Sequence, residues 1–414
     1  MKINPAFVNI GLSPIVEISE RARLLAPEFE KSGKHFIYFQ RGEVGFDTPD
    51  YVKKAISEAI HDKKLTKYPK SGGEPWFKDA ILKYLSELGI SNLNRENILC
   101  TYGGQEGLQL AFSSFVSCDN EGRIVGGPRV LGFDPIWSCM LENILPYSGS
   151  SIDLVPFIEQ RGNLDVDFET LERRLSEADI LYLNNPHNPT GKVFSAEELR
   201  EINRLCVENG VTIISDEAYR DIVFDGNRHV SMLEFPGDHI ISVFTFSKAF
   251  AATGLRVGYT VTRNKDHIPL LTRAEYTQTA GVVTSNQHGF KVAVENVEER
   301  DKWINYMVAQ LQGRRDVLYE EIKRIFNKPV YRPQGAFYFF LDLNPFIGDN
   351  IPMEDRDEFI LEKFLEKGIA VIHGSAFSKE RYKGYVRISY STIDEGMILE
   401  GIGRMEEVLN SLYH

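Results

Sequence analysis

Cysteine is scarce in this chain. Cys100, Cys118, Cys139 and Cys206 form no CxxC pair and have no histidine at zinc-ligand spacing, which excludes a dithiol redox motif and points to no metal site. Long apolar runs are also missing. No stretch approaches the roughly 18 apolar residues of a membrane span, and the opening MKINPAFVNIGLSP lacks the apolar core of a signal peptide. A reducing, cytoplasmic setting is the expectation. Basic charge is in deficit, 47 Lys and Arg against 59 Asp and Glu, for a net charge of −12. Such a field repels phosphate backbones and anionic lipid, so neither nucleic acid nor a membrane is expected as a partner. Neither a GxGxxG nor a GK[ST] loop follows the relevant strand-like runs, which argues against dinucleotide-binding and P-loop readings.

What is present suits a globular enzyme. The chain has 414 residues, 43% of them apolar and 26% charged, a length that corresponds to about two to three domain-sized units. It can bury a core without disulfides or structural metal. Short β-rich runs alternate with helical stretches: NILCT at 97–101 with a helix from about Gln105, RVLGF at 129–133, DILYL at 179–183, VTIIS at 211–215 and ISVFTF at 241–246. This alternation predicts an α/β fold with a mostly parallel sheet covered by helices. Within SAEELREINRLCVENG, Ser195 and Glu198 form a capping box, Leu199, Ile202 and Leu205 make an apolar face, and Gly210 ends the helix. After about residue 295 the pattern changes to a long amphipathic helix through Leu311, Leu318, Ile322 and Ile325, followed by GAFYFFLDL, DEFILEKFLEKG, IAVIHG and YVRISYS. The division expected is a large domain at 48–297, and a smaller α+β domain made of 1–47 and 298–414.

Three apolar runs end in polar groups that suit the carboxyl edge of a parallel sheet, where ligands bind. DILYL leads into NNPHNPTG, VTIIS into DEAY, and VFTF into SKAFAATGLRVGY, so Asn188, Asp216, Tyr219 and Lys248 can converge on one cleft. A partly desolvated Lys248 has a lowered pKa and becomes nucleophilic toward an aldehyde, which is Schiff-base chemistry. Asp216 can keep a pyridine nitrogen protonated, and so make the ring an electron sink. Tyr219 and Asn188 can hydrogen-bond a ring oxygen, and the planar fork of Arg256 suits a phosphate. Gly103 and Gly104, ahead of a helix start at Gln105, can bring backbone N–H groups to the same phosphate, although Gly-Gly before a helix is more often only a turn.

In this order the residues resemble the fold type I pyridoxal-phosphate-dependent aminotransferases, class I and II. The resemblance covers nearly the whole chain, through RGEVGFDTP, KYPKSGGEPWFKDA, TYGGQEGL, FDPIW, NNPHNPTG, SDEAY, SKAFAATGLRVGY, GAFY and YVRIS. It implies transfer of an α-amino group from an L-amino acid to a 2-oxo acid through pyridoxamine phosphate. Lys248 then resembles the lysine that forms the Schiff base with pyridoxal 5′-phosphate and moves the proton between Cα and C4′. Asp216 resembles the partner of the ring nitrogen, Tyr219 and Asn188 the partners of the ring oxygen, and Trp137 the aromatic stacked on the ring. Gly104, Gln105, Thr245, Ser247 and Arg256 match the phosphate cup. Arg387 resembles the arginine that takes the substrate α-carboxylate, with Asn188 and the Gly42 backbone beside it. Tyr68 matches a tyrosine that reaches the neighbouring subunit's phosphate, which implies a homodimer with shared sites.

Several readings stay open in the sequence. Arg387 alternates with Val386 and Ile388, so by strand phase it faces either water or the cleft; the resemblance selects the cleft. The chain has GEVGF where the family often has GEPDF, and NPHNPTG where it often has NPNNPTG. His187 either touches the cofactor edge or fills a loop position. Glu17 lies in LSPIVEIS, a segment that by the resemblance helps form the substrate side-chain pocket, and either greets a cationic substrate side chain or faces solvent. The same cofactor also supports β-elimination, as in a carbon–sulfur lyase, and motifs barely separate the two reactions. A regulator built on this fold would need a DNA-binding module, for which an arm of about 47 residues and this negative charge leave no place. The amino donor and the oxo-acid acceptor are not legible.

Overall fold

The five apolar runs all enter one sheet, four of them side by side. In the computed structural model of the chain, which describes residue 8 and residues 10–119 and 121–412, most of the N-terminal stretch read above for a leader segment lies outside the described residues. Among those described, eight strands form a sheet in the order Ile98–Thr101, Gly258–Thr262, Ile240–Thr245, Thr212–Asp216, Ile180–Asn184, Arg129–Asp134, Ser151–Gln160 and Asn163–Val166. The four central pairings are parallel. The outer ones are antiparallel, with Gly258–Thr262 running against both of its neighbours. The central strands are apolar along their length because both faces of the sheet are covered, which is the pattern parallel strands require.

Local sequence sets the element ends. Helix Ala196–Asn209 begins at the capping box, with the Ser195 side chain accepting from Glu198 N at 3.1 Å and Glu198 Oε2 accepting from Ser195 N at 2.8 Å. It stops where Gly210 turns left-handed at φ +66°. Phe246 reads in sequence as the end of a strand, yet it opens the short helix Phe246–Ala249 that carries Lys248. The cause is Thr245, whose hydroxyl accepts from Ser247 N at 3.2 Å and diverts the chain. Three strands of this sheet escaped the sequence reading, the short Asn163–Val166 among them. Ser151–Gln160 is interrupted by Asp153 and Pro156, and Gly258–Thr262 follows the Arg256 loop too closely to show a boundary.

A second sheet is antiparallel and small, with Tyr385–Ser389 between Tyr338–Asp342 and Ile372–His373. Helices Val297–Phe326, Arg356–Glu366 and Glu395–Leu412 pack on it. The N-terminal arm joins this part: Ile37–Tyr38 pairs in parallel with Ile369–Ala370, and Ile18, Ala22 and Ala26 of helix Pro14–Lys31 enter the same apolar cluster. The long helix buries Leu311, Leu318 and Ile322 and half-buries Ile325. A bond ties this part to the helix bearing Lys248, with Trp303 Nε1 donating to Ala249 O at 2.8 Å.

Candidate active site

Three neighbouring parallel strands release their chains at one edge of the large sheet. Thr212–Asp216 ends in Asp216, Ile180–Asn184 leads to Asn188, and Ile240–Thr245 leads to Ser247 and Lys248. Strand Ile98–Thr101 ends at the same edge, and Gly258–Thr262 starts there just after Arg256. A cavity of about 450 Å³ opens at this edge, between the sheet and the N-terminal and C-terminal parts of the chain. Its lining holds Gly42, Gly104, Gln105, Trp137, Asn188, Asp216, Tyr219, Thr245, Ser247, Lys248, Arg256 and Arg387, that is, all but one of the site residues expected from the sequence.

Lys248 reaches across the cavity and donates from Nζ to Gly42 O at 2.5 Å. Burial and then the Arg387 guanidinium push its ammonium down to about 8, against the pull of Glu43 and Asp216. Asp216 is buried. Its Oδ2 accepts from the Tyr182 hydroxyl at 2.9 Å and its Oδ1 from Ala218 N at 3.1 Å. Burial dominates those bonds and raises the carboxyl to about 6. Among the described residues no lysine, arginine or histidine forms an ion pair with it, so a protonated ring nitrogen is a group it lacks.

Tyr219 and Asn188 stand together, with Asn188 Nδ2 donating to the Tyr219 hydroxyl at 3.5 Å. The Tyr219 hydroxyl also shares a hydrogen bond of 2.8 Å with that of Tyr338. Burial, and then Tyr338, hold the Tyr219 phenol well above the usual range. Arg387 faces the cleft, 1% exposed. Its Nη2 donates to Gln40 O at 2.8 Å and its Nη1 to Asn188 Oδ1 at 3.3 Å, while Nε has no partner. The guanidinium lies 4.5 Å from the Tyr338 ring centroid, and burial lowers its pKa. A buried guanidinium with a free donor and no carboxylate fits an incoming carboxylate.

The other end of the cavity is a cradle. Gly103 sits at φ +82°, and a Cβ there would lie 2.6 Å from Arg256 Nη2. Helix Gly104–Ser113 begins next to it and presents its first N–H groups. Arg256 itself is left-handed at φ +53°, a conformation that costs a residue with a side chain roughly 1–3 kcal/mol. Its Nη1 donates to Thr253 O at 2.9 Å. The hydroxyls of Thr245 and Ser247, 2.9 Å apart, complete the cradle. Backbone donors, two hydroxyls and a guanidinium free of carboxylates make a site for a phosphate group. Taken with Asp216 and Lys248, the donor set fits a phosphorylated pyridine aldehyde.

Tyr68 alone among the expected residues lies apart. It is 92% exposed and does not line the cavity. His187 occupies a loop position, with Nδ1 2.8 Å from Thr190 Oγ1 and the ring against Phe157, and burial lowers its pKa to about 3. Glu17 is exposed and outside the lining. Ser13, Ile15 and Val16 line the cavity from LSPIVEIS, the segment the resemblance assigns to the substrate side-chain pocket, while Tyr338, Cys139 and Asn143 line it without having been singled out. For Tyr338 the signal was present, since GAFY belongs to the resemblance. Cys139 and Asn143 carry no motif.

A family model described as aminotransferase class I and II matches residues 34–405. A probable aspartate/prephenate aminotransferase of Aquifex aeolicus is 31% identical over 97% of this chain and 96% of its own. The structure of the Thermus thermophilus aspartate aminotransferase with maleate superposes with a TM-score of 0.86 at 26% identity, covering 99% of this chain and all of that one. An aromatic aminotransferase from Pyrococcus horikoshii superposes with a TM-score of 0.80 at 27% identity, covering 95% and 99%.

Proposed function

The chain belongs to the class I and II aminotransferases, and from that premise we propose that its cofactor is pyridoxal 5′-phosphate, held in the cavity at the sheet edge. The enzyme is an aminotransferase. β-Elimination is not favoured, since the relatives above carry aminotransferase names. When bound, the cofactor supplies an aldehyde carbon to carry the amino group and a ring that withdraws electrons.

The chain's own residues have distinct tasks in this reading. Gly104, Gln105, Thr245, Ser247 and Arg256 hold the phosphate, and Trp137 covers one ring face. Asp216 holds a proton on the ring nitrogen, which returns the carboxyl to its charged state and supplies the cation it lacks. Tyr219 and Asn188 hold the ring oxygen. Arg387 binds the α-carboxylate of the amino acid, with Asn188 and Gly42 beside it, and so orients the Cα–H bond. Lys248, with its amine poised near neutral pH, takes that proton and returns it at C4′. The observation that carries the reading is the convergence of Lys248, Asp216, Arg256 and Arg387 on one cavity.

The same reading assigns residues 48–297 to the cofactor-bearing part and residues 1–47 with 298–414 to the smaller one. It also assigns a homodimer, in which the exposed Tyr68 reaches the partner's phosphate cradle, and a cytoplasmic location. No helix of the described residues is long and apolar enough to cross a membrane. The test is the absorbance spectrum of the purified protein with pyridoxal phosphate, before and after single amino acids are added without any oxo acid. The expected result is conversion to the pyridoxamine form with one oxo acid released per site, and none in Lys248→Ala. Ammonia accumulating while the starting spectrum persists would instead support elimination.

A further inference from the structure

Asp216 has a partner outside the cavity. Tyr182 lies on strand Ile180–Asn184, within the apolar run DILYL, and is 2% exposed. The ladder sets Asn184 opposite Asp216 and Tyr182 opposite Ile214, so Tyr182 shares a sheet face with Asn184 and sits two residues short of the carboxylate. Its ring spans that diagonal, and its hydroxyl donates to Asp216 Oδ2 at 2.9 Å. Val130, Ile214 and Ile241 belong to the apolar cluster around it, and its ring lies 6.1 Å from that of Phe112. Asn184 and Asp216 line the cavity, whereas Tyr182 does not. It stands behind the carboxylate and, in the proposed arrangement, touches neither substrate nor cofactor.

What this bond does follows from the charges around Asp216. The titratable groups facing it are Tyr182, Lys248 from the short helix, and Glu217 and Tyr219 from its own segment. Strand Ile240–Thr245, on the other side, sets Val243 opposite Asp216 and carries no ionisable residue. Helix Gly104–Ser113 also packs on this strand, and its one acid, Glu106, accepts from Tyr102 N instead. Burial opposes the ionised carboxylate most, and Glu217 opposes it too; of the groups that favour it, the Tyr182 hydroxyl comes first, ahead of Ala218 N and Lys248. Burial, Asp216, Tyr219 and Cys139 hold the Tyr182 phenol well above its ordinary range, so it stays a donor. With Tyr182 on Oδ2 and Ala218 N on Oδ1 at 3.1 Å, the carboxylate is gripped from two directions.

We propose that Tyr182 is a positioning residue for the ring nitrogen: by donating to Asp216 Oδ2 it keeps that carboxylate ionised and correctly turned, and so holds the proton on the ring nitrogen rather than on Asp216. The inference rests on the assignment of Asp216 to the ring nitrogen. Without the hydroxyl, a buried oxygen loses its donor and the neutral carboxyl gains.

The test is binding of pyridoxamine 5′-phosphate, which forms no Schiff base with Lys248, to the full-length cofactor-free protein between about pH 5 and pH 9, followed by the fluorescence of Trp137 in the cavity lining. The dissociation constant of Tyr182→Phe is divided by that of the unaltered protein at each pH, which cancels the ligand's own titrations. The Asp216 carboxyl, at about 6 in the unaltered protein, is expected to rise by about one to two pH units in the variant. Both proteins bind the ligand through the ionised carboxylate. The ratio therefore stays near one at the alkaline end, where both are ionised, and climbs to about tenfold or more at the acid end, where the variant has more proton to expel. A ratio that is the same at every pH overturns the inference, because lost packing carries no proton. Tyr182→Phe is also made in the Asp216→Asn background, which leaves no carboxylate without its donor should the single variant fail to fold. There it is expected to match Asp216→Asn at every pH, and a difference overturns the inference. Absence of binding to the unaltered protein brings down the cofactor assignment, and the inference with it; binding with a flat ratio brings down the inference alone.

Discussion

The two walls of the cavity are assembled in different ways. On the sheet side, Asp216, Asn188, Thr245, Ser247 and Lys248 follow the ends of adjacent parallel strands, so ladder register alone brings them together. On the opposite side, Ser13, Ile15 and Val16 meet Cys139 and Asn143 only because a helix start docks against a distant turn. The sheet wall is charged and tightly hydrogen-bonded. The other is uncharged and holds few bonds. In the proposed function, reaction chemistry is assigned to the wall whose geometry the backbone fixes most rigidly, and the substrate side chain to the wall where a helix start can vary without disturbing the sheet.

Substitutions on the two walls should have different consequences. The largest effect is expected on the sheet wall: Asp216→Asn keeps the shape and the acceptor but removes the negative charge that holds a proton on the ring. Turnover should fall by roughly 100- to 1,000-fold, with similar losses for every amino donor, as measured by steady-state kinetics across a donor panel. A loss confined to some donors would break the division. A smaller effect is expected opposite. Ile15→Ala should raise KM for apolar donors roughly fivefold to tenfold through lost contact, while leaving kcat and the pH dependence of Lys248 reactivity unchanged. A fall in kcat for all donors would place Ile15 among the groups that shape the chemistry.

The same contrast explains what was legible in the sequence. NPTG, DEAY and SKAFAATGLRVGY each join an apolar strand to its functional side chains within a few residues, so the strand and its chemistry are read together. Gly104 and Arg256 were legible for the same reason, although the close approach of the Arg256 guanidinium to Gly103 and the left-handed turn at Arg256 were not. Tyr338 went unremarked because its partner Tyr219 is 119 residues away and nothing local marks the shared hydrogen bond. Cys139 belongs to no motif, yet it borders the cavity. Phe246 was misplaced because a side-chain cap, invisible to hydropathy, ends the strand one residue early. Ser151–Gln160, Asn163–Val166 and Gly258–Thr262 were missed where charged residues, proline and tight loops blur the alternation.

The central claim is that Lys248 carries the chemistry because the fold makes its amine available near neutral pH. Its ammonium is lowered from 10.5 to about 8, so the amine is protonated and unreactive well below that pH and neutral above it. The most direct measurement is borohydride trapping of pyridoxal phosphate on the cofactor-free protein as a function of pH, with the labelled residue identified by peptide mapping. The account predicts label on Lys248, with a trapping rate that rises through a midpoint near pH 8. Label on another lysine, or a rate that rises only as pH approaches the ordinary lysine value of 10.5, would contradict it.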